Sequence, residues 1–157
     1  MKKILFVCTG NSCRSPMAEA ITVARMPESW REEFSVSSAG TAAFDGMKAA
    51  SNAIKVLKEM RIDLSVHRTR VLTARMVDEA DLVITMTGEQ KAGIVDLVPG
   101  SRGKVMAMGE LDSKRESPDI GDPIGGGEEV YRKTSDEIEG LILKLIDYLA
   151  DIFKLTK

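Results

Sequence analysis

Five small or polar residues, Thr9-Gly10-Asn11-Ser12-Cys13, separate Cys8 from Arg14, and Ser15-Pro16 follows. A thiol and a guanidinium at this spacing suit attack by sulfur on an oxyanion whose oxygens the guanidinium holds as a planar fork. Backbone N–H groups of such a loop, and the N-terminus of a helix after it, would aim at the same anion. That positive field also favours the Cys8 thiolate, the form that attacks. Each residue has an ordinary reading as well. A cysteine ending a buried strand is commonly small apolar filler, and Ser-Pro starts many helices. Those readings do not explain cysteine, glycine turn, arginine and helix start at one spacing.

Thiolate attack on a phosphate ester leaves a poor leaving group, so a proton donor is needed opposite the nucleophile. The stretch Ser117 to Gly127 holds two carboxylates, Asp119 and Asp122. Asp122 is the expected donor, because Pro123 stiffens the backbone beside it and Gly125-Gly126-Gly127 lets the loop approach the pocket. Asp119 is its near competitor, and an ordinary surface turn is the bland alternative. His67 is the only histidine and is expected to be a structural hydrogen-bonding residue. No grouping of His, Cys, Asp and Glu has metal-ligand spacing, and no dinucleotide or Walker fingerprint is present, so neither metal nor cofactor is expected.

These residues need a frame that puts one loop end beside another. Lys3 to Val7 reads as a buried strand and Ser15 to about Arg25 as a helix. Phe34 to Ser38 reads as a second strand, Asp81 to Met86 as a third, and Lys104 to Met108 as a weaker fourth. Ala49, Ala53, Ile54, Leu57 and Met60 recur at helical spacing. Ile138, Leu141, Ile142, Leu145, Ile146 and Leu149 form one stripe of a long final helix, expected to pack on the sheet. The stretch Asp112 to Gly127 is the longest irregular one, and long loops in compact domains are often functional. Alternating strands and helices favour a parallel sheet covered on both faces, with ligands beyond the carboxyl ends of its strands. The Cys8 loop falls there.

The 157 residues suit one domain. A formal net charge of −2 and a pI near 5.5 give no nucleic-acid footprint. Two closely spaced cysteines make no disulfide scaffold, so a reduced cytoplasmic setting is expected. Lys2-Lys3 with Ile4 to Val7 is too short an apolar run for a signal-peptide core, and nothing else approaches a membrane span. A soluble protein, monomeric or weakly oligomeric, is the expectation.

Val7 to Glu19 resembles the phosphate loop of the low-molecular-weight protein-tyrosine phosphatases. Ser38-Ala39-Gly40-Thr41, His67-Arg68-Thr69-Arg70, Ala80-Asp81-Leu82-Val83 and Asp122-Pro123 continue the resemblance in order over nearly the whole chain. The resemblance implies an α/β fold of three layers with a four-stranded parallel sheet and helices on both faces. It also implies a phosphorylated protein as substrate and a cysteinyl-phosphate intermediate. Cys8 would be the nucleophile, Arg14 the phosphate clamp and Asp122 the acid, then base. Thr9, Gly10, Asn11, Ser12 and Cys13 would surround the phosphate. Asn11, Ser15 and Ser38 match positions that hold the loop in shape, His67 would fix neighbouring structure, and Cys13 matches a loop cysteine able to form a reversible disulfide with the nucleophile.

Three features depart from the tyrosine-specific pattern. Ser12 stands where a branched apolar residue is common, Ile124-Gly125-Gly126 brings no aromatic wall after Asp122-Pro123, and Thr87 stands where an acidic residue is common. These features are similar to bacterial protein-arginine phosphatases. A guanidinium tolerates a neighbouring hydroxyl, whereas a phenol ring gains more from apolar contact. Phosphotyrosine leads on the family resemblance, with phosphoarginine as the alternative. Thioredoxin-coupled arsenate reductases share a similar loop, but their chemistry needs further relay thiols, and this chain has only Cys8 and Cys13. A non-catalytic phosphate-binding module is the non-enzyme alternative.

Overall fold

The computed structural model describes all of residues 1–157. β1 (Lys2–Cys8) is buried along its second half, with Ile4, Phe6 and Cys8 in one hydrophobic cluster and Leu5 and Val7 in the other. Alternate residues of a strand face opposite sides, so an apolar run of this kind marks a strand covered on both faces. β2 (Phe34–Gly40), β3 (Leu82–Thr85) and β4 (Val105–Ala107) complete a four-stranded parallel sheet in the order β2-β1-β3-β4. The strand order reverses beside β1, where open α/β sheets leave a crevice at their carboxyl ends.

On one face lie α1 (Arg14–Arg25) and α5 (Glu128–Phe153), with α2 (Ser51–Glu59) packed on α5. The expected stripe from Ile138 to Leu149 is buried in one cluster with Ile4, Phe6, Leu82 and Ile84 of the sheet, and α5 also packs against α1 and α2. On the other face, α3 (Ala74–Glu79) and α4 (Gly88–Leu97) bring Val77 and Ile94 against Leu5, Val7 and Val83. Sequence periodicity marks neither of these two short helices. α3 has only one buried residue, and α4 buries Gln90 along with Ile94, so neither shows an apolar stripe. Their starts are set by side-chain caps: Thr73 accepts from the Met76 amide, and Thr87 forms a capping box with Gln90. Thr87, a departure from the family pattern, is therefore a helix cap. No helix is long and apolar enough to cross a membrane.

Candidate active site

β1 ends at Cys8, and the chain turns through residues 9–13 into α1. Asn11 allows this turn with φ of 54°, a left-handed conformation that asparagine tolerates better than most residues. Its side chain is fully buried and wired on every side. Nδ2 donates to the hydroxyls of Ser15 and Ser38, both at 2.9 Å, and Oδ1 accepts from the Arg70 amide at 2.9 Å. The His67 Nε2–H donates to the Asn11 carbonyl at 2.8 Å. Three expected supporting residues, Ser15, Ser38 and His67, thus meet at one side chain and its own carbonyl.

The result is aimed at Cys8. The Asn11 amide donates to Cys8 Sγ at 3.2 Å, and Ser15 Oγ lies 2.9 Å from the same sulfur. Donors directed at sulfur stabilise negative charge there. The amides of Gly10, Ser12 and Cys13 donate to no group in the protein, so they remain available to an anion. α1 has no side-chain cap and no acidic residue in its first turn, which leaves its N-terminus equally open. Thr9 and Gly10 are exposed at the loop crest and Ser12 is half-buried. Gln90 Nε2 holds Thr9 Oγ1 at 3.1 Å.

Arg14 is buried, and its Nη1 donates to the Ile120 carbonyl at 3.0 Å while its Nη2 stands 3.4 Å from Asp122 Oδ2. The fork is therefore fixed by the loop that carries Asp122. The Asp122 side chain is 42% exposed and its Oδ1 accepts from the Ile124 amide, so it faces the opening. Asp119 is committed elsewhere: its Oδ1 accepts from the Gly88 amide at 2.8 Å, at the start of α4. The loop is registered by Gly109, whose amide donates to the Pro118 carbonyl; a Cβ there would lie 2.5 Å from that carbonyl oxygen.

Cys13 is buried beside Tyr131, its Sγ 3.4 Å from the phenol oxygen. Burial pushes the Cys13 thiol up from its ordinary range, outweighing the hydrogen bonds from Tyr131 and Ser12. Burial, and then the contact with Cys13, hold the Tyr131 hydroxyl well above an ordinary phenol.

A family model described as low molecular weight phosphotyrosine protein phosphatase matches residues 3–154. The chain belongs to that family. A protein-arginine-phosphatase of Geobacillus stearothermophilus is 40% identical over 147 residues, covering 94% of this chain and 95% of that protein. The low molecular weight protein-tyrosine-phosphatase Wzb of Salmonella typhimurium is 38% identical over 139 residues, covering 88% and 83%. Among solved structures, the low molecular weight protein tyrosine phosphatase from T. tengcongensis superposes with a TM-score of 0.86 at 41% identity, covering 95% of this chain and all of that one. The arginine phosphatase YwlE from Geobacillus stearothermophilus superposes with a TM-score of 0.87 at 38% identity, covering 100% and 99%.

Within the family frame, several site residues carry no signal by type or spacing alone. Gln90 anchors the loop from α4, and Glu19 accepts from the Ser38 hydroxyl at 2.5 Å. Glu19 was findable in principle, since it lies one helical turn beyond Ser15 on the same face of α1. Phe44 and Met47 are exposed on the segment 41–50, which is tied to the active loop by Thr41, Ala42 and Ala50 amides donating to the carbonyls of Cys8, Thr9 and Ser12. Nothing in their local sequence marks them as rim residues.

Proposed function

We propose that this protein is a cysteine-dependent phosphatase of phosphorylated proteins, one domain over residues 1–157, acting in the cytoplasm. Cys8 thiolate attacks phosphorus, and a phosphorus–cysteine bond forms as the bond to the leaving nitrogen or oxygen breaks. Asp122 gives its proton to that leaving atom. Water then attacks the cysteinyl phosphate, Asp122 takes its proton, and inorganic phosphate leaves with the Cys8 thiolate restored. Arg14 and the amides of Gly10, Ser12 and Cys13 neutralise charge on the equatorial oxygens throughout. The observations that carry this reading are the pairing of Arg14 with Asp122 and, at the start of the same loop, a Cys8 sulfur in hydrogen-bond contact with the Asn11 amide and the Ser15 hydroxyl.

Phosphoarginine is the substrate the pocket suits best. Ser12 presents a hydroxyl beside the phosphate site, which a guanidinium can donate to and a phenol ring gains nothing from, while Asp122 serves either leaving group as acid. The full-length likeness to protein-arginine phosphatases supports it. Phosphotyrosine is the second reading, favoured by the exposed apolar side chains of Phe44, Met47 and Ile124 and by the relatives named as tyrosine phosphatases. Parallel assays with phosphoarginine and phosphotyrosine peptides decide between them. Wild type is expected to prefer phosphoarginine, and Ser12→Ile to shift the kcat/KM ratio toward phosphotyrosine by tenfold or more, the order of about 1.4 kcal/mol. A wild-type preference for phosphotyrosine reverses the choice, and an unchanged ratio in the variant removes Ser12 from it.

A further inference from the structure

A cavity of about 640 Å³ lies beside the active loop but not over it. None of residues 8–14 lines it. Its wall includes Glu19, Ser38, His67 and Arg70, which reach Asn11 directly or through Ser38. The volume is that of an ordinary small-molecule site.

The charge on this wall is uneven. Arg31, Arg61, Arg68 and Arg70 all line it, against two carboxylates, Glu19 and Asp63. The ion-paired arginines of the molecule are others: Arg14, Arg25, Arg75, Arg115 and Arg132. Arg68 and Arg70 donate only to carbonyls, of Ser65 and His67 and of Ser38. Both carboxylates are already engaged, Glu19 by the Ser38 hydroxyl and Asp63 by the amide and hydroxyl of Ser65. Arg61 adds a separate oddity. It follows the end of α2 with φ of 61°, at a position that favours glycine. A long cation is held there with no partner in the protein. Val23, Ile62, Leu64 and Val66 line the same cavity and give it an apolar part.

We infer that this cavity is a second binding site, for a small organic phosphate with an apolar body, and that its occupation is felt at Cys8. Several guanidiniums lining one open, partly apolar cavity can recognise phosphate oxygens by paired hydrogen bonds. The connection to catalysis is short. The Arg70 side chain holds the Ser38 carbonyl and its amide holds Asn11 Oδ1; Ser38 Oγ accepts from Asn11 Nδ2; and the Asn11 amide donates to Cys8 Sγ. An anion that draws the Arg70 guanidinium away from Ser38 loosens the frame that keeps the Asn11 amide on sulfur, and turnover slows.

His67 makes the site observable, because it is the only histidine and lines the cavity. The probe is naphthalene-1,5-disulfonate, a rigid dianion that cannot be hydrolysed, added to protein whose active loop is filled with orthovanadate. Saturable movement of the His67 ring NMR signals is expected, with affinity at least tenfold weaker in Arg31→Ala/Arg61→Ala. Neither arginine touches the active loop, so that variant keeps wild-type turnover without the probe. In vanadate-free assays the probe is expected to lower wild-type kcat at least twofold and to leave kcat of the variant unchanged. No His67 shift, or undiminished binding by the double variant, overturns the site; an unaltered kcat at saturating probe overturns its link to Cys8. The NMR arm does not depend on turnover, so an inactive protein would refute the phosphatase reading while leaving the binding result to stand.

Discussion

Asp122 and Asp119 differ by three positions and by everything that matters to proton transfer. Asp122 faces the opening next to the Arg14 fork, while Asp119 spends its carboxylate on the start of α4. Asp122→Asn is expected to lower kcat by roughly 10²–10³, within the range general acids contribute. Asp119→Asn is expected to reduce stability more than rate; steady-state kinetics beside urea denaturation separates the two, and the reverse ranking reassigns the acid. The two thiols are just as unlike. With Cys13 pushed up by burial, less of it is thiolate at any given pH, so its alkylation lags that of a free cysteine and recovers only at alkaline pH. In Cys8→Ser, where Cys13 is the sole thiol, the pH profile of iodoacetamide labelling should have its midpoint above about 8.5, the value for a free cysteine. A midpoint at or below that value contradicts the buried, protonated thiol.

The active loop is held by its neighbours more than by its own residues. β2 ends at Gly40, where a Cβ would lie 2.5 Å from the Thr9 carbonyl oxygen and 2.9 Å from the Asn11 nitrogen. Both contacts are with backbone, which cannot swing aside. Gly40→Ala is therefore expected to push residues 9–11 off the sulfur, costing about 1–3 kcal/mol of stability as overpacking does, together with most of the activity. α4 supports the loop from the opposite side. Gln90 Oε1 accepts from the Met86 and Thr87 amides while Nε2 donates to Thr9. Gln90→Leu leaves the half-buried Thr87 amide without its acceptor, the Met86 amide keeping the Val7 carbonyl, and a loss of about 1 kcal/mol in denaturant unfolding is expected, with KM for a small aryl phosphate rising as Thr9 is released. Wild-type stability in that variant would show that α4 only covers the sheet.

Across the whole molecule, the strand order places Cys8 at the crevice and lets two distant loops, 41–50 and 117–123, close on it. At the opposite end the chain closes on itself. The Trp30 indole donates to the Thr156 carbonyl at 2.8 Å, Leu155 packs against the larger core cluster, and Lys2 lies over the rings of Phe34 and Phe153. Ending the chain at Phe153 removes the first two contacts. A loss of about 1–2 kcal/mol is expected, a fall in Tm of about 2–8 °C, with kcat unchanged because the clasp lies away from the site. A matching fall in kcat would mean that the two ends of the sheet are coupled.

Residue order alone determined the frame and the chemistry it carries. A continuous apolar run, a glycine turn, and a cysteine and arginine with five residues between them are local facts, and each is legible because strand burial, helix starts and anion binding all act within a few residues. The four strands, the helices α1, α2 and α5, and the loop that carries Cys8 and Arg14 were readable for that reason. Only the tertiary structure decided what depends on distant partners. It committed the Asp119 carboxylate to the Gly88 amide, gave Thr87 a capping task, and brought Gln90, Arg70 and Tyr131 to the loop from positions 59 or more residues away. α3 and α4 escaped notice because short helices with one or two buried side chains leave too little periodicity to read. The four guanidiniums around the second cavity come from three separate stretches of chain, so no local pattern could have joined them.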